Sequence, residues 1–170
     1  MMDKKPNALQ KFIHRFLMLR PVTALLARVL HHADRALFKL TGGRHSVAEI
    51  VGLPIIQLIS IGAKTGQPRS IPLVGLFDGE KIALIGSNFG QKHNPGWYYN
   101  LTAHPQCEVV KDGRTSRFIA REVFDHERDK YWQMALSYYS GYEKYRERAS
   151  HRHIPVMLLE PAKLATAHSA

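Results

Sequence analysis

The sequence predicts a mainly β fold with peripheral helices, an α+β chain in which an antiparallel barrel follows a helical arm. Three observations predict it. Short β-branched runs are joined by hairpin signals at Asp78-Gly79 and Asp112-Gly113. Helical patterns fall only between some of the hairpins, which argues against a doubly wound sheet. The first 45 residues, by contrast, carry a helical apolar period and most of the net positive charge.

In the arm, Leu9, Phe12, Ile13, Phe16 and Leu17 fall on one helical face. Pro21 interrupts and suits the first turn of a second helix. Val22, Leu25, Leu26, Val29, Leu30, Ala33 and Leu37 continue the period until Gly42-Gly43 stops it. From Pro54 the pattern becomes that of strands. Ile55–Ile61 is the first, residues 63–66 turn, and residues 69–77 form the second. Asp78-Gly79 turns into a third strand at 81–86. Asn94-Pro95 caps and begins a helix reaching Ala103. Residues 106–111 and 114–123 form a hairpin about Asp112-Gly113. Asp125 caps a helix reaching about Leu136, a tyrosine-rich segment follows, and Ile154–Leu159 is the last strand. The expected division is therefore an arm, 1–45, and a barrel, 46–170.

Charge and cysteine usage narrow the classes. The net charge of +10 is uneven: residues 1–45 hold nine Lys/Arg against two acids, a net of +7. Such a field attracts anionic lipid, nucleic acid or an acidic ligand. Aromatic residues do not interleave with these charges and no nucleic-acid motif appears, so an arm packed on the barrel or on an anionic membrane surface is the expectation. The lone Cys107 excludes an intramolecular disulfide, and no histidine cluster forms a convincing metal site. With no leader pattern and no run approaching a spanning helix, a cytoplasmic protein is expected, peripheral on the inner face of the membrane if the arm binds lipid.

Three clusters could carry chemistry. Lys64, Thr65, Gln67 and Arg69 sit on or beside a hairpin turn. A mobile cation, a bidentate fork and neutral donors are the mixture that phosphate needs, although a solvated turn has the same composition. Ser87, Asn88, Phe89, Gly90 and Lys92 follow a strand end; Gly90 permits close backbone approach to a planar ring, and Ser87 can donate to a cofactor or substrate oxygen. Trp97 and Asn100 lie on the helix that follows, where a tryptophan is more often core than site. Tyr139, Tyr142 and Tyr145, three residues apart, crowd one side of a helical segment and offer flat faces with phenolic donors.

Taken in order, these pieces resemble the deazaflavin-dependent nitroreductase and quinone reductase family. The resemblance rests on Gly62-Ala-Lys-Thr-Gly-Gln-Pro-Arg69 with Pro72-Leu73, on Asp78-Gly79 and Ser87-Asn88, and on Asn94-Pro-Gly-Trp-Tyr-Tyr-Asn-Leu101. His104-Pro105 and Ile154-Pro155-Val156 also fit. The resemblance implies a split β-barrel of the flavin-reductase-like type and reduced coenzyme F420 as hydride source, with a quinone, nitro or enone acceptor. It implies that Lys64, Thr65, Gln67 and Arg69 hold the anionic tail and that Ser87, Asn88, Phe89, Gly90 and Lys92 edge the ring. Trp97 and Asn100 would shape the cleft, and Ser87, Tyr139, Tyr142 and Tyr145 would face the substrate. Val74 departs from the aromatic contact of nitroreductase-active relatives, which favours quinone or enone acceptors. The alternatives are an FMN-binding split-barrel oxidoreductase and a non-catalytic flavin- or deazaflavin-binding protein at the membrane surface. Barrels of this type commonly pair as homodimers.

Overall fold

The structure, a computed structural model, describes residues 53–162; the expected arm at 1–45 lies outside the described residues. Seven strands form one antiparallel sheet: β1 (Ile55–Ile61), β2 (Pro68–Val74), β3 (Leu76–Asp78), β4 (Lys81–Ile85), β5 (Gln106–Lys111), β6 (Arg114–Val123) and β7 (Val156–Pro161). Their order is β2-β1-β5-β6-β7-β4-β3. Three helices, α1 (Gly96–Ala103), α2 (Asp125–Tyr138) and α3 (Gly141–Arg148), occupy the connections between β4 and β5 and between β6 and β7.

The two edge strands are consecutive in the chain, so the sheet must curl until its edges meet. The hinge is Gly75. The sequence predicts one strand over 69–77, but β2 ends at Val74 and β3 starts at Leu76. At the break Gly75 donates its N–H to the Pro54 carbonyl at 2.9 Å. A Cβ there would lie 3.0 Å from both Ile56 Cγ2 and Ile82 Cγ2, so the absence of a side chain lets the curled edge close onto β1 and β4. The result is the expected split-barrel half: a curled sheet with helices at its periphery.

Two apolar layers hold it together. Inside the curl, Ile56, Leu58, Ile82, Leu84, Val109, Phe118 and Leu159 pack with Trp97 and Leu101 of α1. On the other face, Ala83, Ile85, Val123, Val156 and Leu158 pack under Tyr131, Trp132 and Ala135 of α2 and the tyrosines of α3. Strands β4 and β7 therefore serve both layers. Their unbroken apolar runs, Ile82–Ile85 and Val156–Leu159, are buried throughout, as expected of strands covered on both faces. In β6, where one face meets solvent, Phe118 and Ala120 are buried while Arg117, Ile119 and Arg121 are exposed.

Several expected boundaries move for identifiable reasons. Neither Asn94 nor Asp125 caps a helix: Pro95 and Phe124 hold those positions without side-chain caps. The Asn94 side chain is taken by Arg152, and Asp125 is the first residue of α2 at φ 46°. The last strand starts at Val156, one ladder step after Pro155, whose carbonyl accepts the Gly86 N–H at 2.8 Å but which has no N–H to return. Helix α2 runs on to Tyr138 and breaks at Tyr139-Ser140, where the Tyr139 ring folds over Gly141; a Cβ on Gly141 would fall 2.2 Å from that ring.

Candidate functional site

The β1–β2 turn is built by backbone hydrogen bonds. The Gly62 carbonyl accepts the N–H groups of Thr65 and Gly66 at 3.2 and 2.8 Å, and Gly62 N–H donates to the Gln67 carbonyl at 2.9 Å. Thr65 Oγ1 accepts the Gln67 N–H at 3.3 Å. That compact turn leaves Lys64, Thr65, Gln67 and Arg69 exposed together, a donor set with no carboxylate in the segment 62–70. Asn100 of α1 supports it from behind, accepting from Ala63 N–H at 3.0 Å and donating to the buried Ser60 hydroxyl at 3.3 Å. Both ends of the Asn100 amide thus serve the turn. Trp97, one turn earlier, is 5% exposed and lies in the inner layer, where it fixes α1 to the barrel.

The loop after β4 is the second component. Asn88, Phe89 and Gly90 form a single 3₁₀ turn with φ of 45°, 55° and 77°. Three successive left-handed residues, two of them not glycine, are costly and persist only where the surroundings impose them. Gly90 presses on α3: a Cβ would lie 2.6 Å from Arg148 Cβ and 3.0 Å from the Tyr145 carbonyl. Asn88 Nδ2 donates to the His93 carbonyl at 2.9 Å. Ser87 is buried, Lys92 is exposed, and Phe89 is 46% exposed with its ring edge-to-face on Tyr145, centroids 5.8 Å apart.

The tyrosines form the third component. Tyr142 and Tyr145 lie on α3 and Tyr139 joins them across the break between α2 and α3. The three rings pack at centroid separations of 5.8 to 6.0 Å, and the Tyr139 and Tyr145 hydroxyls lie 3.4 Å apart. Trp132 of α2 adds a fourth ring, 6.2 Å from Tyr142. The structure therefore brings the Ser87–Gly90 loop and the tyrosines together through Phe89 and Gly90. It brings Asn100 to the Lys64–Arg69 turn, and α1 connects the two groups.

Burial raises the phenol pKa of Tyr139, Tyr142 and Tyr145 above the ordinary 10.0. Tyr131 is pushed up to about 12, by burial first and then by its hydrogen bond to Asp78. These groups are neutral donors at neutral pH. A raised folded-state pKa contributes stability that is complete below the unfolded value and is lost as pH rises through the folded one. The urea midpoint should therefore fall as pH is taken from about 9 to about 11, and Tyr142→Phe should flatten that fall. An equal slope in the variant would show that the buried phenol does not titrate with unfolding.

Sequence reasoning missed Arg152. Its guanidinium donates to the carbonyls of Gly86, Ser87 and Gln91 at 3.3, 2.7 and 2.8 Å, and to Asn94 Oδ1 and the His153 carbonyl. The available signal was indirect: an irregular loop rich in Gly and Asn has carbonyls that need donors from elsewhere. Glu122 was missed too; it accepts from Tyr98 of α1 at 2.9 Å and lies 3.3 Å from His153 Nε2.

A curled split-barrel half with an exposed cationic turn and an aromatic-lined loop suits a cofactor-binding barrel, and comparison makes the class specific. The F420H(2)-dependent quinone reductase family matches residues 30–161, and the chain belongs to that family. An F420H(2)-dependent quinone reductase of Mycobacterium tuberculosis is 33% identical over 127 residues, covering 73% of this chain and 85% of its own. The solved structure of an F420-H2 dependent reductase superposes with a TM-score of 0.58 at 32% identity, over 63% of this chain and 94% of that one. A second structure, described as a domain-swapped dimer, gives 0.60 at 29% identity over 82% and 96%.

Proposed function

We propose that this protein is an oxidoreductase that takes a hydride from reduced coenzyme F420 and delivers it to a quinone. The observation that carries the reading is that the family match spans both the Gly62–Arg69 turn and the Ser87–Asn100 segment. The donor set agrees with the group it would hold. Lys64, Thr65, Gln67 and Arg69 are exposed side by side, which suits a phosphate followed by carboxylates. When bound, the reduced deazaflavin supplies the hydride.

The chain's own part is orientation and exclusion of water. Lys64 and Arg69 would hold the anionic tail, while Ser87 and the backbone to Gly90 would edge the ring. Phe89 and the tyrosine layer would supply a flat apolar wall for the acceptor. Tyr139, as a neutral phenol, would donate to an acceptor oxygen as negative charge builds there. Val74 packs against the tyrosine-bearing layer, and this aliphatic contact favours quinone and enone acceptors over nitro compounds. The +7 charge of residues 1–45 supports a peripheral position on an anionic membrane, within reach of lipid-soluble quinones. The domain-swapped relative supports pairing of two copies.

The test is a titration with reduced F420 and, separately, FMN, followed through Trp97 and Trp132 fluorescence, with menadione then added while deazaflavin absorbance is recorded. Deazaflavin binding with quinone-dependent oxidation is the expected result; binding of FMN alone would reassign the cofactor. Arg69→Ala should weaken F420 binding by about 1–3 kcal/mol, roughly 5- to 150-fold in Kd, through loss of one charge-assisted contact. An unchanged Kd would remove Arg69 from the tail site.

A further inference from the structure

Arg152 stands between α3 and β7 on a short connector that is itself fixed. Its N–H donates to the Ala149 carbonyl at 2.9 Å, and Ile154 and Pro155 beyond it are buried. From there the guanidinium reaches across to the Ser87–Asn94 loop and meets acceptors along its whole length: Gly86 and Ser87 at its start, Gln91 in the middle, Asn94 at its end. None of these acceptors is a carboxylate, so the contact is no ordinary ion pair. A planar fork can serve several carbonyls at once, which a lysine ammonium on a flexible stem cannot.

The loop so held is the strained one. Asn88 and Phe89 at positive φ each cost on the order of 1–3 kcal/mol and require over-determination by their surroundings. Asn88 braces the loop internally through His93, and Gly90 fits against α3. Phe89 rests edge-to-face on Tyr145, and Arg152 adds hydrogen bonds that fasten the loop to the segment that carries the tyrosines.

We propose that Arg152 is a positioning residue for hydride transfer, holding Ser87 and Phe89 in register with the tyrosine layer. The proposal rests on the F420 reading given above. Arg152→Ala and Arg152→Lys should behave alike, because the loop is held by the planar fork, which both variants lose, and not by the charge, which lysine keeps. The Gly90 and Gln91 amides, bonded to the Ser87 and Asn88 carbonyls at 2.9 and 3.0 Å, should exchange with solvent deuterium at least about tenfold faster, while strands β4 and β7 keep their protection. The kcat with menadione should fall about 100-fold, the scale expected of a 1 Å misplacement. The Kd for reduced F420, to which the untouched Lys64–Arg69 turn and the loosened loop both contribute, should rise by less than about tenfold, well short of the loss in kcat.

Unchanged exchange at Gly90 and Gln91 would overturn the proposal, as would a loosened loop with unchanged kcat. A rise in exchange throughout the barrel would reduce Arg152 to a general stabiliser, and full rescue by lysine would replace geometry with charge as the explanation. Failure of the unaltered protein to bind F420 would overturn the cofactor reading instead, and the exchange result would still decide whether Arg152 sets the loop.

Discussion

Gly90→Ala should lower quinone-dependent turnover about 100-fold while leaving a folded barrel. Two independent costs converge on that one methyl group. The backbone at Gly90 has φ 77°, where an L side chain is disfavoured by roughly 1–2 kcal/mol. The added Cβ would also sit 2.6 Å from Arg148 Cβ and 3.0 Å from the Tyr145 carbonyl, and neither is the free end of a flexible chain. Helix α3 is fixed by its tyrosines in the outer layer, so the loop is the part that must yield. Moving it out by about 1 Å shifts Ser87 and Phe89 relative to the tyrosines and costs about two orders of magnitude in rate. The strands do not depend on the loop, so the thermal midpoint should drop only by the strain, about 2–8 °C at 2–4 °C per kcal/mol. Steady-state rates beside a thermal melt would check this. A variant that turns over normally would show that the Gly90–α3 contact does not set the site.

What could be read from the sequence was what local chemistry determines. Asp112-Gly113 predicts a two-residue turn, and both residues take positive φ, 51° and 74°, so the flanking strands fall at 106–111 and 114–123 as expected. The Lys64–Arg69 cluster was equally legible, because a turn presents its neighbours to solvent together. What failed depends on partners distant in sequence. Nothing near Gly75 says that Ile56 and Ile82 will close on it. Nothing near Arg152 says that carbonyls some 60 residues earlier will need its guanidinium. The tyrosine spacing suggested one helical face, yet Tyr139 reaches Tyr145 across the break at Tyr139-Ser140, where Gly141 leaves room for the ring. Asn94 looked like a cap until a long-range donor claimed its side chain.

The same division between local pattern and long-range packing underlies a second large effect, at two adjacent residues of β7. Leu158 and Leu159 are both fully buried, but they face opposite layers. Leu158 points to the layer that carries Trp132 and the tyrosines, opposite Ala83, whereas Leu159 points inside the curl, opposite Ile82. Truncating either to alanine should cost about 2–5 kcal/mol through lost burial and the cavity left behind, lowering the thermal midpoint by roughly 4–20 °C. The functional consequences should separate. Leu158→Ala removes support from beneath α2 and α3, so the tyrosine wall loosens and turnover at 25 °C falls even where the protein remains folded. Leu159→Ala opens space against Leu84, Trp97 and Phe118 in the inner layer, on the far side of the sheet from the tyrosines, and the folded variant should keep its kcat. Comparable stability losses with unequal rate losses would place the acceptor side of the site on the outer layer. Equal rate losses would mean that the two layers move as one body, and that the tyrosine layer has no separate claim on the reaction.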